Sequence, residues 1–297
     1  MTEFAAEAVT VRTLDGRELE VLISGPTDGF PVVFHSGTPS GPVHFPAYTK
    51  AAAGNGLRLV TYGRPGYGRS TAQPGRRVSD AAADTAAVLD HLGLEDFLTM
   101  GHSGGGPHAL ACAALLPSRC RAVASVAGVA PWDAEGLDVM AGMGPENVEE
   151  FGVAVQGPAA LEPWLEAASA PLHTIEGAAV AEELGGLVPE IDKQALTGEF
   201  ADVMAAALRK GVERGVAGWR DDDLAFVRNW GFDVGSITVP VAIWQGAQDL
   251  MVPFAHGQWL AAHVAGAAAH LFDEHGHLSL TVDHMPAILA DLATHVG

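Results

Sequence analysis

Three residues of types suited to nucleophilic catalysis lie far apart in this 297-residue chain: Ser103, Asp249 and His277. A serine hydroxyl is a weak nucleophile until an adjacent imidazole takes its proton. That imidazole in turn needs a carboxylate to fix its tautomer and stabilise its cation. Ser103 stands in Gly101-His102-Ser103-Gly104-Gly105, a G-x-S-x-G pattern. A serine held at a strand-to-helix corner sits on strained backbone, where neighbouring side chains would collide, so the glycines have a reason. The following helix would aim free N–H groups and its positive end at an oxyanion formed there. With 36 glycines in the chain the pattern alone proves little, so other elements must supply a base, an acid and a second oxyanion donor.

The elements that position these residues alternate. Val9–Leu14 and Glu18–Ile23 flank Asp15-Gly16 as a hairpin, and Pro31–His35 is a continuous apolar strand of the kind buried in a parallel sheet. A helix over about 43–55 leads to the strand Leu57–Thr61. Ser79 is placed as N-cap of a helix from Asp80 to Leu92. Phe97–Gly101 is the strand into the corner, Gly104–Leu116 the helix out of it, and Arg121–Ala127 the next strand. Strand–helix alternation of this kind predicts an α/β fold with a mostly parallel sheet flanked by helices. After Pro131 no strand pattern occurs until Val239–Gly246. The intervening 132–235 hold 20 of the 36 acidic residues and four of the six tryptophans. An acidic outer face over an aromatic inner one suits a helical cap on the sheet. The expected organisation is therefore a core of 1–131 and 236–297 with a cap of 132–235. Asp249 follows the strand ending at Gly246, His277 sits in a loop after the strand Ala269–Phe272, and a helix then runs to Val296. Both loops lie at carboxyl ends of strands, where functional loops of open parallel sheets gather. His275 is the nearest rival base, and Asp273 and Glu274 are weaker rivals for the acid.

Composition narrows the partners. Hydrophobic residues make up 48% of the chain and charged residues 18%, enough apolar material for a large core. The formal charge of −20 opposes binding to nucleic acid or anionic membranes, which rests on basic groups. No signal peptide or apolar run near 20 residues is visible, so a cytoplasmic location is expected. The two cysteines, Cys112 and Cys120, read as buried free thiols.

With G-H-S-G-G-G after a strand, Gly246-Ala247-Gln248-Asp249…Val252-Pro253 and Gly276-His277-Leu278-Ser279, the chain resembles the α/β-hydrolase superfamily. The likeness covers about 7–131 and 236–297 and is greatest to the capped esterase, haloperoxidase and epoxide-hydrolase-like branch. His35-Ser36-Gly37-Thr38-Pro39 resembles that family's oxyanion loop, with a serine inserted. By that resemblance Thr38, with Gly37 as the alternative, donates its N–H beside that of Gly104. Arg64-Pro65-Gly66-Tyr67-Gly68-Arg69-Ser70 resembles a structural turn of the family, with Gly63 standing where aspartate is common.

A serine at the corner disfavours the dehalogenases and epoxide hydrolases of this fold, which use aspartate. The Gly-Gly-Ser-Trp-Gly of proline iminopeptidases is absent. The expectation is a serine hydrolase of small, largely apolar esters or lactones, with Ser103 as nucleophile, His277 as base and Asp249 as its orienting acid. Trp132, His102 and Met140 are the candidates for the substrate-binding wall. The resemblance implies no metal or organic cofactor, and a small molecule is the expected partner. A lyase, carbon–carbon hydrolase or perhydrolase would use the same triad. A ligand-binding protein that retained the triad is the non-enzymatic alternative.

Overall fold

In a computed structural model, which describes residues 4–296, the apolar runs become strands. These are β1 (Glu7–Arg12), β2 (Glu18–Ser24), β3 (Phe30–His35), β4 (Leu57–Tyr62), β5 (Phe97–His102), β6 (Cys120–Val126), β7 (Val241–Gly246) and β8 (Ala268–Phe272). They form one sheet in the order β1-β2-β4-β3-β5-β6-β7-β8. The β1–β2 hairpin and the β2–β4 pair are antiparallel, and all other neighbours are parallel. Every residue of β5 and β7 is buried, as expected for central strands covered on both faces.

Eleven helices are described. They are α1 (Pro46–Gly54), α2 (Ala81–His91), α3 (Gly105–Leu115), α4 (Pro145–Ala154), α5 (Pro158–Ser169), α6 (Val180–Glu183), α7 (Glu190–Ala195), α8 (Gly198–Val212), α9 (Ala217–Phe226), α10 (Phe254–His263) and α11 (His277–Ala293). The period-two alternation of side chains divides them between the two faces of the sheet. Val32 and Phe34 of β3 join Tyr48 and Ala52 of α1 and Leu280, Ile288 and Leu289 of α11. Val33, one residue along, joins Val88 and Leu89 of α2, Leu110 of α3 and Leu260 of α10 on the opposite face. That second core continues into the segment between β6 and β7, through Phe151, Leu161, Leu165, Leu208, Trp219 and Phe226. This segment carries α4–α9 with short 3-10 turns between and after them, and its only β pairing among the described residues is an isolated bridge between Glu213 and Gly215.

Two local expectations change. Ser79 does not cap α2: it lies in a short 3-10 turn, Val78–Asp80, whose Asp80 carboxylate accepts from the Arg77 N–H at 2.9 Å. His277 is not in a loop but is the first residue of α11. Cys112 and Cys120 are buried and free, with burial pushing the Cys112 thiol up to about 12. Among the described residues no helix is long and apolar enough to cross a membrane.

Candidate active site

The corner at Ser103 is built by exclusion. A Cβ on Gly101 would lie 2.1 Å from the Gly105 carbonyl oxygen, and one on Gly105 would lie 2.0 Å from that of His35. These glycines are therefore required by close approach. The strain falls on Ser103 itself, at φ +56°, in a region non-glycine residues seldom occupy. Its N–H donates to the Val126 carbonyl at 2.9 Å, tying the corner to the neighbouring strand. The side chain is half-buried and lines a cavity of about 420 Å³.

His277 lines the same cavity and is 1% exposed. Its Nδ1 lies 2.7 Å from Oδ2 of Asp249, which also accepts from Gln245 Nε2 at 3.0 Å. The other Asp249 oxygen accepts from the Met251 and Val252 N–H groups, each at 2.8 Å. A carboxylate so engaged keeps the proton on Nδ1 and leaves Nε2 free to act as a base. Burial works against the charged ring. The charge and hydrogen bond of Asp249, with the charge of Asp192, outweigh it, so the pKa of His277 is raised.

Asp192 carried no local signal in the sequence. It comes from α7 with 0% exposure and accepts from the N–H groups of His277 (2.8 Å), Leu278 (3.1 Å) and Ser279 (2.8 Å). It also accepts from the Ser279 hydroxyl at 2.7 Å. A carboxylate borrowed from 85 residues upstream thus caps the helix that carries the histidine. Gly276 makes room for it, since a Cβ there would come within 2.5 Å of the carboxylate.

The loop after β3 is held from below by Arg64. Its guanidinium donates to the carbonyls of Ser36 (2.5 Å) and Gly37 (3.1 Å). Because a trans peptide sets its N–H opposite its C=O, pinning these carbonyls turns the N–H groups of Gly37 and Thr38 away from Arg64. Both residues, like Gly104, line the cavity. The Thr38 hydroxyl donates to Asp222 of α9 at 2.7 Å, and Arg64, Arg76 and Tyr67 converge on the same carboxylate at 2.6, 2.7 and 2.8 Å. Burial acts to raise the pKa of Asp222, but the two arginines and His108 override it and hold it far below the usual carboxylate range. The turn read as structural therefore has a second effect, because Arg64 shapes the candidate oxyanion loop. Gly63 fits here, since a Cβ would meet the Tyr67 carbonyl at 2.8 Å and Ser70 Oγ at 2.9 Å.

His102 lines the cavity. Burial drives its pKa down to about 3, and its ring lies 4.6 Å from that of His277. Trp132 and Met140 do not line it. Trp132 stands behind Phe151, ring to ring at 5.9 Å, and Met140 packs on the core from a turn in which its N–H donates to Asp138. Trp164, Trp219, Met204 and Met251 form wall in their place. His275 lies off the cavity, 3.2 Å from Asp283 and packed on His284, and Asp273 and Glu274 are exposed. Two carboxyls unforeseen in the sequence, Glu150 and Asp223, face the cavity from α4 and α9. Among the described residues no group of three or more His, Cys, Asp or Glu is placed to hold a metal ion.

An eight-stranded, mostly parallel sheet with a serine corner, an acid after β7 and a histidine after β8 defines the α/β-hydrolase class. The sequence model of the alpha/beta hydrolase fold matches residues 31–283, and the chain belongs to that family. A non-heme chloroperoxidase of Streptomyces lividans is 31% identical over 251 residues, 83% of this chain and 84% of the relative. A bifunctional esterase/perhydrolase of Acinetobacter calcoaceticus is 35% identical over 97 residues, 32% of this chain and 35% of the relative. The crystal structure of an enol-lactonase from Burkholderia xenovorans shares the fold, with a TM-score of 0.67, 20% identity and coverage of 97% of this chain and 100% of that one. The protein is an enzyme of the α/β-hydrolase family.

Proposed function

We propose that the protein is a serine hydrolase that cleaves a small, largely apolar carboxylic ester or lactone through an acyl-enzyme. The observation that carries this reading is the 2.7 Å His277–Asp249 contact, with His277 and Ser103 lining one apolar-walled cavity. In this mechanism Ser103 Oγ attacks the carbonyl carbon as His277 Nε2 takes its proton. The developing oxyanion is met by the N–H of Gly104, at the start of α3, and by that of Thr38 or Gly37. His277 then protonates the leaving alkoxide, and a water deprotonated by His277 attacks the acyl-enzyme to release the acid. Residues 132–235 act as the cap and set which acyl and alcohol groups reach Ser103.

Hydrolysis of ethyl esters of graded chain length and of lactones, with Ser103→Ala as control, tests the reading. Turnover that depends on Ser103, with stoichiometric labelling of Ser103 by a phosphonate, is expected. Full activity of Ser103→Ala refutes it. The partial match to an esterase/perhydrolase favours one second outcome at the same site, attack of hydrogen peroxide on the acyl-enzyme to give a peracid. Peracid formation from acetate and peroxide that is lost in Ser103→Ala would establish it.

A further inference from the structure

The wall of the cavity is apolar where it meets Phe45, Trp164, Phe200, Leu208 and Phe226, and its charged side chains are of one sign. Among the described residues, carboxyls contribute to it and no lysine or arginine does. Most of those carboxyls belong to exposed or half-buried positions and need no explanation. Glu150 and Asp223 are different. They lie against each other across α4 and α9, within hydrogen-bonding reach, Glu150 half-buried and Asp223 1% exposed. The indole N–H of Trp219 donates to Glu150 Oε1 at 2.5 Å, while Asp223 Oδ2 is buried with no N–H or O–H donor reaching it.

The nearest arginine does not neutralise the pair. Arg76 directs its two terminal nitrogens to Asp222 at 2.7 Å and to the Gly218 carbonyl at 3.1 Å, and makes no hydrogen bond to Glu150 or Asp223. Burial pushes both carboxyls up, Asp223 the further because the Glu150 charge lies against it. Neither carboxyl is ion-paired to a lysine or arginine among the described residues, and the charge of Arg76 offsets the burial of Asp223 only in part. Such an arrangement costs stability in a low-dielectric site unless something binds there. A buried carboxylate bounded by aromatic faces is the environment that stabilises an organic cation.

We propose that Glu150 and Asp223 form a subsite for a protonated amine, so that the ester or lactone cleaved at Ser103 carries a basic nitrogen. This rests on the serine-hydrolase reading for the bond cleaved, but the subsite can be measured without it. The ammonium N–H donates to Glu150 Oε2, with the Asp223 carboxyl buried behind it and the alkyl groups against Trp219 and Phe226, while the ester carbonyl lies at Ser103. Neutral apolar esters remain substrates of the same cavity at lower efficiency.

Ethyl 4-(dimethylamino)butanoate and ethyl 5-methylhexanoate have the same shape and differ by an ammonium N–H in place of a C–H. Their hydrolysis is to be compared by proton release, together with homologous pairs one and two methylenes longer. The cationic member should be preferred in kcat/KM by about tenfold or more at one length, the scale of a buried charge-assisted hydrogen bond. In Glu150→Gln and in Asp223→Asn, each checked for folding by circular dichroism, that ratio should fall towards parity. Preference for the neutral ester at every length, or a ratio that survives both substitutions, overturns the proposal. Calorimetric binding of 4-(dimethylamino)butan-1-ol against 5-methylhexan-1-ol applies the same criterion to the wild type without catalysis. If Ser103→Ala cleaves both esters normally, the serine-hydrolase reading fails and the binding ratio decides the subsite. If cleavage needs Ser103 but shows no cation preference, the subsite alone fails.

Discussion

Replacing Asp192 by alanine separates the candidate base from the carboxylate that seats it. The substitution strips acceptors from three N–H groups of α11 and from the Ser279 hydroxyl, at a site with 0% exposure. Loss of a helix N-cap costs about 1 kcal/mol, and each buried donor left unpaired costs about 1–3 kcal/mol. Water entering the vacated volume recovers part of this, so a net loss of roughly 2–4 kcal/mol is expected. That is a large share of the ~5–15 kcal/mol that stabilises a typical domain. The charge has its own signature. Burial disfavours the His277 cation while Asp249 and then Asp192 favour it, with a net rise in pKa. In the proposed mechanism His277 must be neutral to accept the Ser103 proton, so activity is expected to fall as pH drops through that raised value. Removing Asp192 lowers the pKa and moves the acid limb of the kcat/KM profile to lower pH. Asp192→Asn, which keeps an acceptor oxygen but not the charge, should show the shifted limb with a smaller stability loss. Urea unfolding and ester hydrolysis from about pH 5 to 9 measure both effects. A limb that stays fixed or moves upward, with stability unchanged within about 0.5 kcal/mol, would refute the reasoning.

Other consequences can be checked on the same protein. Asp249→Asn keeps the shape of the contact but offers an amide to His277 Nδ1, favouring the wrong tautomer. A fall in kcat of about 10³–10⁴ is expected, with KM little changed. Asp222→Asn leaves Arg64 and Arg76 facing a neutral group in a buried site, and a loss of about 3–5 kcal/mol should appear in denaturant unfolding. Because Asp222 has its pKa depressed by folding, its contribution is present above the unfolded carboxylate value near 4. It is lost as pH falls towards the lower folded value, so the wild type and Asp222→Asn should converge in stability under acid. Gly105→Ala would set a methyl 2.0 Å from the His35 carbonyl oxygen, and soluble expression should collapse, whereas Gly54→Ala, whose Cβ meets nothing, should express.

What the sequence made legible follows the range of the interactions involved. The buried strands show as unbroken apolar runs, and the hairpin at Asp15-Gly16 shows because its turn residues are adjacent. Ser103, Asp249 and His277 are legible as candidates because each lies just beyond a strand, which places it at the carboxyl end of the sheet. Ser79 reads as a helix cap, but a 3-10 turn closed by Asp80 leads into α2 in its stead. His277 reads as a loop residue because its helix cap comes from Asp192, which no local pattern connects to it. Trp132 and Met140 failed as wall residues because spacing gives no direction to a side chain in an irregular segment. The Asp221-Asp222-Asp223 run held a usable signal. Acids bracketed by Trp219 and Leu224-Ala225-Phe226 cannot all face solvent, and the structure gives each a separate setting: Arg220, the Arg64–Arg76 pair, and the cavity.

The segment between β6 and β7 supplies both Asp222, which fastens the candidate oxyanion loop, and Asp192, which seats the helix of the candidate base. This limits how the enzyme can be rebuilt. Grafting the intervening helices of another family member onto this sheet, a common route to new specificity, would remove both anchors at once. A chimera would lose rate even on substrates its new helices accommodate, unless the donor carries carboxylates at equivalent points or the core is altered to do without them. On the proposed reading, the pieces of this protein that choose the substrate and those that hold its catalytic groups are thus not separable modules.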